Sequence, residues 1–394
     1  MLRPTFMGFE TAKRAINVNQ KAVDIVANNL SNVDTNGYTR QRLDVTSIAP
    51  NAYATKIASS RVGLLGQGVD ALGVGQLRDS FLDKRFREEY GKASYHGHAK
   101  EILDDIQSAL GDGQNLTNES VLFGAMKQIF ESLNDYVSEP TLDAQANLVM
   151  TAFKNITQVL QQLDAKLTNA AAQHIYDTGV TVNRVNDILD EITYYNKMIS
   201  EDATVMSDPN NEYFRPTELL DKRNLLLDEL ASYGDINVVQ LSNGMVNVDF
   251  AGQRAVTGTE HETARMYEND DQTITLRWVS SGKDLQLSSG TLLASRDFIN
   301  GRGKNIRDSH ETIREGIPYY RDRLNTFATA LVNVVNQSIP ERAYPDDAGN
   351  NELKVDSNGD TIFKTLLGAR QADGSVSANG PVTAANISIS DEWN

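Results

Sequence analysis

Residues 142–167 read LDAQANLVMTAFKNITQVLQQLDAKL, with apolar positions at Leu142, Ala146, Val149, Phe153, Ile156, Leu160, Leu163 and Leu167. Spacings of four and three alternate through the run, which puts all of these side chains on one face of an α-helix. The register fades between Thr168 and Thr181, around Gly179, and returns at Val185, Ile188, Ile192, Tyr195 and Ile199. The pattern predicts a very long helix in a bundle, with a candidate bend near Gly179. Helices of this length supply extent along an axis. The expected fold is therefore mainly α and elongated, a long-helix bundle.

The same period extends toward the amino terminus. Leu122, Ala125, Ile129, Leu133 and Val137 mark a helix starting near Asn118 and ending at Pro140, with Ser138 as a cap. Ala99, Leu103, Ile106 and Leu110 mark another that begins at Phe81 and stops at Gly111-Asp112-Gly113. Between Thr39 and Leu77 the helical period is lost. Gly63, Gly66, Gly68, Gly73 and Gly75 lie there, but their spacing fits neither common nucleotide-binding fingerprint, so a turn-rich extended segment is expected. Before it, Phe9, Ile16, Val23 and Leu30 recur every seventh residue, with Ala12, Asn19, Val26 and Val33 offset by three. That is the seam of a helix seeking a partner helix. Asn28, Asn29, Ser31, Asn32 and Asp34 compete for backbone hydrogen bonds and end it, and Asn36-Gly37 supplies a turn. The polar turn leaves the helix little to bury against locally.

Toward the carboxyl terminus, Asp208-Pro209 breaks the long helix, and residues 216–230 form an amphipathic helix with Pro216 in its first turn and Gly234 as its stop. Residues 235–290 change to period two. Ile236, Val238 and Leu241 face Met245 to Phe250 across Asn243-Gly244 as a β-hairpin, and Thr273–Val279 with Leu285–Leu287 suggest a second through Ser281-Gly282-Lys283. Helical period resumes from Leu293 through Val335, with a break near Gly316-Ile317-Pro318, and loop and strand follow Ser338. The expected organisation is an amino-terminal helix and linker over 1–78, a helix bundle over 79–234, a β-hairpin segment over 235–290, returning helices over 291–338, and a β/loop segment over 339–394.

The 394 residues suffice for two or three domains. A net charge of −16 argues against nucleic acid or an anionic membrane as the main partner. With no cysteine there are no disulfides and no thiol chemistry. No apolar run is long enough for a membrane-spanning helix, and Met1-Leu2-Arg3-Pro4 does not open a secretory signal peptide.

Residues 28–41, NNLSNVDTNGYTRQ, resemble the amino-terminal segment of the bacterial flagellar axial proteins, which build the rod, the hook and the hook–filament junction. Asn28, Asn29, Asn32, Thr35, Gly37 and Tyr38 fall on that family's pattern, with Asn36 in place of the commoner Pro. Rod and hook subunits usually continue Tyr-Lys-Arg, whereas Tyr38-Thr39-Arg40-Gln41 resembles the hook-associated protein 1 branch. Gly66, Gly68, Val69, Arg78, Phe81 and Leu82 fit the family's entry into its first long helix. A second block, Leu219, Leu220, Asp221, Arg223, Leu226, Leu227, Glu229 and Leu230, matches one that this branch carries and that rod and hook subunits lack. The resemblance covers residues 1 to about 340. Asp360-Thr361-Ile362-Phe363 is only a loose counterpart of the family's next motif.

The resemblance implies a structural subunit that joins hook to filament by self-assembly into a junction layer. It is exported without a cleaved signal and is extracellular. The implied arrangement is a coiled coil of terminal helices along the axis, a helical middle layer and outward β segments. The implied partners are further copies of itself, the hook protein, a second junction protein on the filament side and an export chaperone bound through the carboxyl-terminal region. Neither nucleic acid nor membrane is among them, and no enzymatic activity or cofactor is implied. The assembly seam would be Phe9, Ile16, Val23, Val26, Leu30 and Val33. The chain stops at Trp393-Asn394 without the carboxyl-terminal heptad helix of axial proteins, which suggests a shortened chain whose seam lacks its intramolecular partner.

Two alternatives differ in kind. A hook or rod subunit is opposed by the 219–230 block and by Thr39-Arg40-Gln41. A secreted cell-wall-acting enzyme would need paired carboxylates or a metal set, and the sequence singles out neither. His96 and His98 point about 200° apart on a helix and cannot share a metal. His174, His261 and His310 are isolated in sequence. Asp356-Ser357-Asn358-Gly359-Asp360 begins like a calcium loop, but Thr361 stands where Gly is required and Leu367 where the bidentate Glu belongs, so a turn is expected.

Overall fold

In the computed structural model residues 143–167 of the apolar run lie within one 58-residue helix, Asp143–Ser200, which continues through Gly179 without a break. The structure describes residues 7–48, 68–111, 121–138, 143–202, 216–341, 353–377 and 380–393. The sequence expectations at Met1–Pro4, Gly63, Gly66, Asp112, Gly113, Asn118, Pro140, Leu142 and Asp208-Pro209 lie outside the described residues.

In chain order the elements are α1 (Met7–Ser31), β1 (Gln41–Ser47), β2 (Val69–Gln76), α2 (Ser80–Leu110), α3 (Val121–Ser138), α4 (Asp143–Ser200) and α5 (Thr217–Tyr233). They continue with β3 (Ile236–Gln240), β4 (Val246–Phe250), β5 (Gln253–Thr257), β6 (Glu260–His261), β7 (Ala264–Glu268), β8 (Ile274–Trp278), α6 (Thr291–Ile299), α7 (Ile317–Asn336), β9 (Leu367–Arg370), β10 (Val376–Ser377) and β11 (Ile387–Ile389). The fold is mainly α with several small antiparallel sheets, as the periodicity predicts. Among the described residues no helix is long and apolar enough to cross a membrane.

Two compact units divide the chain. The first takes Met1–Tyr95, Thr181–Arg265 and Leu276–Leu293; the second takes His96–Val180, Met266–Thr275 and Ala294–Asn394. In the first, β3 to β6 form a four-stranded meander. Its leading hairpin pairs Val238 with Val248 and turns at Asn243-Gly244, where Gly244 has φ +81° and its N–H donates to Leu241 O at 3.1 Å. This is the predicted hairpin. Phe250 and Trp278, both fully buried, meet edge-on at 6.3 Å beneath it. Val185, Ile188, Ile192 and Ile199 of α4 and Leu227 and Leu230 of α5 complete this core.

In the second unit Val149, Phe153, Ile156, Leu160, Leu163 and Leu167 are buried, while Ala146 is exposed. The apparent gap in the stripe after Thr168 is filled by Ala171, His174, Ile175 and Thr178, all buried. Small and polar side chains hold the face there, and so an apolar count misses it. Gly179 leaves room for the Met266 Cε, which a Cβ would meet at 3.2 Å. Around this stretch, Asn155 donates to Gln128 of α3 at 2.7 Å, Arg321 of α7 to Asp164 at 3.2 Å, and Gln161 to the Ile387 carbonyl at 2.7 Å. Trp393 packs on Phe153 at 5.4 Å. The sheet β10-β9-β11 and the Asp356 turn, closed by Asp356 N–H to Asp360 O at 2.8 Å, supply the predicted loop and strand.

The second expected hairpin is present in short form: the strand at Ile274–Trp278 takes β7 as its ladder partner, and across Ser281-Gly282-Lys283 it keeps an antiparallel bridge of Arg277 with Asp284, with Trp278 N–H donating to Lys283 O and Leu285 N–H to Leu276 O, both at 2.9 Å. The β7–β8 turn, Asn269 to Gln272, is glycine-free: Gln272 adopts φ +63° and Asn269 N–H donates to Thr273 O at 2.9 Å. On α2 the buried row runs through Ile102 and leaves Leu103 exposed, and on α3 Leu133 and Val137 face out. The isolated histidines each gain a carboxylate in space: His174 near Asp105 at 3.2 Å, His261 near Asp190 at 4.0 Å and His310 near Asp271 at 3.6 Å.

Candidate assembly site

The amino-terminal helix has two long faces. Phe9, Ile16, Val23, Val26 and Leu30 line the outer one, Val33 follows in the turn, and all six stay 57–73% exposed. Two residues further along the sequence, about 200° around the helix, lies a second heptad row. It runs through Thr11, Val18 and Ile25, flanked by Ala15, Ala22 and Asn29, and is partly to fully buried. This row rests on the ribbon of β1 and β2, an antiparallel pair with a bulge at Asp44/Val45. Gly68, at φ +96°, passes so close that a Cβ would lie 3.1 Å from Thr11 Cγ2. The expectation that α1 has little to bury against locally is therefore corrected. Its local partner is the ribbon that follows the polar turn, and the outer row is the face left over. Thr, Ala and Asn dominate the inner row, and for that reason it does not read as a seam.

The polar motif after α1 fastens helix to ribbon. Asn29 donates from Nδ2 to the Gln41 carbonyl at 2.9 Å and accepts from the Gln41 N–H at 2.8 Å, replacing a neighbouring strand for that residue. Tyr38 donates its hydroxyl proton to Asn29 Oδ1 at 2.9 Å. Asn28 reaches the Tyr38 hydroxyl at 3.3 Å and Gln41 Oε1 at 3.4 Å. Asn32 donates to Asn28 Oδ1 at 2.9 Å and accepts from Thr35 Oγ1 at 3.2 Å. Gly37, at φ +81°, makes the turn and lies against Leu225 of α5. The Arg40 side chain is exposed while its carbonyl accepts from Leu77 N–H at 2.9 Å.

The two sequence motifs meet here. Gln41 donates to Thr217 Oγ1 at 3.0 Å, and Gln76 donates to the Thr217 carbonyl at 3.0 Å and to Asp221 Oδ1 at 2.8 Å. Burial raises the Asp221 carboxyl above its ordinary range, opposed by hydrogen bonds from Thr39 and Gln76. Two residues on, Arg223 is buried and donates to Asn196 Oδ1 at 3.0 Å and the Gly244 carbonyl at 2.8 Å, tying α5 to α4 and the hairpin turn. Leu226, Leu227 and Leu230 point into the core, and Leu219 and Leu220 are half-buried. Glu229 takes a bidentate pair from Arg184, both bonds at 2.8 Å. Asp228 accepts from Arg87 Nε at 2.6 Å and Arg78 Nη2 at 3.1 Å, fixing the first turns of α2.

Gln76, Thr217, Asn196, Asp228 and Arg87 are thus parts of the site that the sequence reading does not pick out. They act across more than a hundred residues of chain, or, for Asn196, from inside an apolar helical face. Among the described residues no group of histidines and carboxylates is placed to hold a metal. The arrangement is suited to presenting a helix face in a fixed direction.

The profile described as "Flagellar hook-associated protein FlgK helical domain" matches residues 103–339, more than half of the chain, and that of the flagella basal body rod protein matches residues 9–39. A flagellar hook-associated protein 1 of Bacillus subtilis is 27% identical over 328 residues, covering 78% of this chain and 62% of its own length. The Salmonella typhimurium protein of the same name is 28% identical over 273 residues, 67% of this chain and 45% of its own length. The chain thus spans about half to three-fifths of the relatives it matches. The flagellar hook junction protein FlgK of Burkholderia pseudomallei shares its fold at a TM-score of 0.51 and 15% identity, over 74% of this chain and 47% of that one. The short rod-protein match is confined to α1 and its turn, whereas the long match runs through both units, and the chain belongs to the flagellar hook-associated protein family that carries this helical domain.

Proposed function

We propose that the chain is a structural subunit of the bacterial flagellum that joins hook to filament by assembling into a junction layer, outside the cell and without catalysis. The observation that carries the reading is the outer face of α1. Five apolar side chains at heptad spacing, with Val33 in the turn beyond them, stand in solvent on a helix whose other face and carboxyl end are fastened to the body. A row of that length is unfavourable in water and fits a second helix. The partners proposed for it are helices of neighbouring axial subunits: other copies, hook protein below and the next junction protein above. Both sequence motifs converge on the fastening, so their shared role in this reading is to aim the helix. A cell lacking the chain should carry hooks without filaments and release unpolymerised flagellin into the medium. Normal filaments on such cells would overturn the proposal.

A further inference from the structure

Two histidines that the assembly reading leaves unused meet inside the second unit. His98 of α2 and His174 of α4 lie edge-on with ring centroids 6.5 Å apart. His98 Nδ1 is 3.0 Å from Glu101 Oε2, and its Nε2 is 3.0 Å from Ser295 Oγ on α6. His174 is only 5% exposed; its Nε2 stands 3.2 Å from Asp105 Oδ2, in an orientation that makes no aligned hydrogen bond. The adjacent Ile175 packs with Ile274, Ile299 and Met266 in an apolar cluster. The charged and titratable groups facing His174 are His98, Glu101 and Asp105 from α2 and Asp177 from its own helix, while α6 reaches the pair through the Ser295 hydroxyl.

We propose that the His98–His174 pair is a proton-operated lock on the packing of α2, α4 and α6, closed when His174 is neutral and loosened when it is protonated. With both rings neutral the contacts are consistent: His98 donates from Nδ1 to Glu101 and accepts at Nε2 from Ser295, and a neutral His174 tolerates its apolar surroundings. A proton on His174 would place a cation in a site more than nine-tenths buried, beside a second imidazole and with one poorly aligned carboxylate. His98, edge-on to His174, opposes a charge there in addition to the burial cost. Burial holds the His174 pKa below the ordinary histidine value, with the carboxylates acting against it. The sign follows from linkage. The unfolded chain takes up a proton near pH 6.5 that the folded site refuses, so the stabilisation is complete above that pH and is lost as pH falls from there toward the folded pKa.

The test is amide hydrogen exchange on the whole chain, corrected for chemical exchange rates, at pH 7.5, 6.5 and 5.5. Protection of segments 98–110 and 170–178 should fall by up to about tenfold between pH 6.5 and 5.5, the limit for one proton. In His174→Gln that pH dependence should vanish, and segment 226–230 of the first unit should respond equally in both proteins. Equal pH dependence in wild type and variant, or none in the wild type, overturns the proposal. Should the variant not fold, an NMR titration of the His174 ring in the wild type decides: a midpoint below the ordinary histidine value supports the lock, and one at or above it overturns it.

Discussion

The outer row of α1 and the central stripe of α4 have nearly the same spacing and opposite surroundings. Val23 and Leu30 are 67% and 73% exposed, whereas Ile156, Leu160 and Leu167 are completely buried. Helical periodicity therefore states that a face has a partner and is silent on where the partner is. What separates the two rows is chain topology. The α4 stripe is met by α3, α7 and the carboxyl-terminal segment through Gln128, Arg321, Ile387 and Trp393. On α1 the ribbon takes the inner row of small residues and leaves the larger side chains outside. Most of the large apolar side chains of α1 stand on the exposed side, and the proposed association rests on that.

The largest effect that sharpens this contrast is expected at Leu160. Leu160→Ala removes side-chain volume from a site with no exposure and should cost about 2–5 kcal/mol, read from urea unfolding of the whole chain. A change as small as that of a surface substitution would move the stripe out of the core. Next comes Asn196, which sits fully buried on α4, accepts from Val246 N–H at 3.0 Å and donates to the carbonyls of Val246 and Gly258 at 2.8 and 2.7 Å. Asn196→Leu keeps the branched outline but takes the hydrogen bonds from those groups and one from Arg223, for about 1–3 kcal/mol. An unaltered melting curve would show that this polar position contributes no more than an apolar one.

How far each region is legible in the sequence follows from the same contrast. The α4 stripe, α1 and the β3–β4 hairpin rest on local signals, a repeated apolar spacing or Asn243-Gly244, and the structure has all three. The β7–β8 turn lacks Gly and Pro, and its positive φ falls on Gln272, so its local signal is only the Asn269-Asp270-Asp271 cluster, which the sequence reading does not use. The inner row of α1 and the His174–Thr178 stretch of α4 mix apolar residues with small and polar ones, and a count of large apolar positions passes over such faces. In the site, Asn28 to Gln41 stands out as a group, but what the group holds does not. Gln41 and Thr217 meet across 176 residues of sequence. No spacing rule predicts such a contact, because it depends on how the ribbon and α5 pack.

A smaller effect is expected where helix meets ribbon. Asn29→Ala removes the reciprocal pair with Gln41 and the Tyr38 contact, at about 1 kcal/mol per net hydrogen bond lost. Hydrogen exchange in α1 should quicken while Leu226–Leu230 of α5 stays protected. Slower or unchanged exchange in α1 would mean that the helix is held by its inner row alone.

The smallest stability effect and the largest functional one should coincide on the outer face of α1. Val23 and Leu30 touch mostly solvent, so replacing both by Asp should change the stability of the unassembled chain by no more than about 0.5 kcal/mol, as at other exposed sites. Against a partner helix the same charges would have to lose their water, which is strongly unfavourable without a compensating cation. The variant should therefore melt like the wild type and be exported, yet leave cells without attached filaments and with flagellin in the medium. The Leu160→Ala variant supplies the converse, a destabilised subunit whose outer row is intact. A double-Asp variant that melts several degrees lower would mean that the row is covered within the subunit. One that melts normally and still supports filaments would take the assembly role away from this face and assign the exposed row no partner.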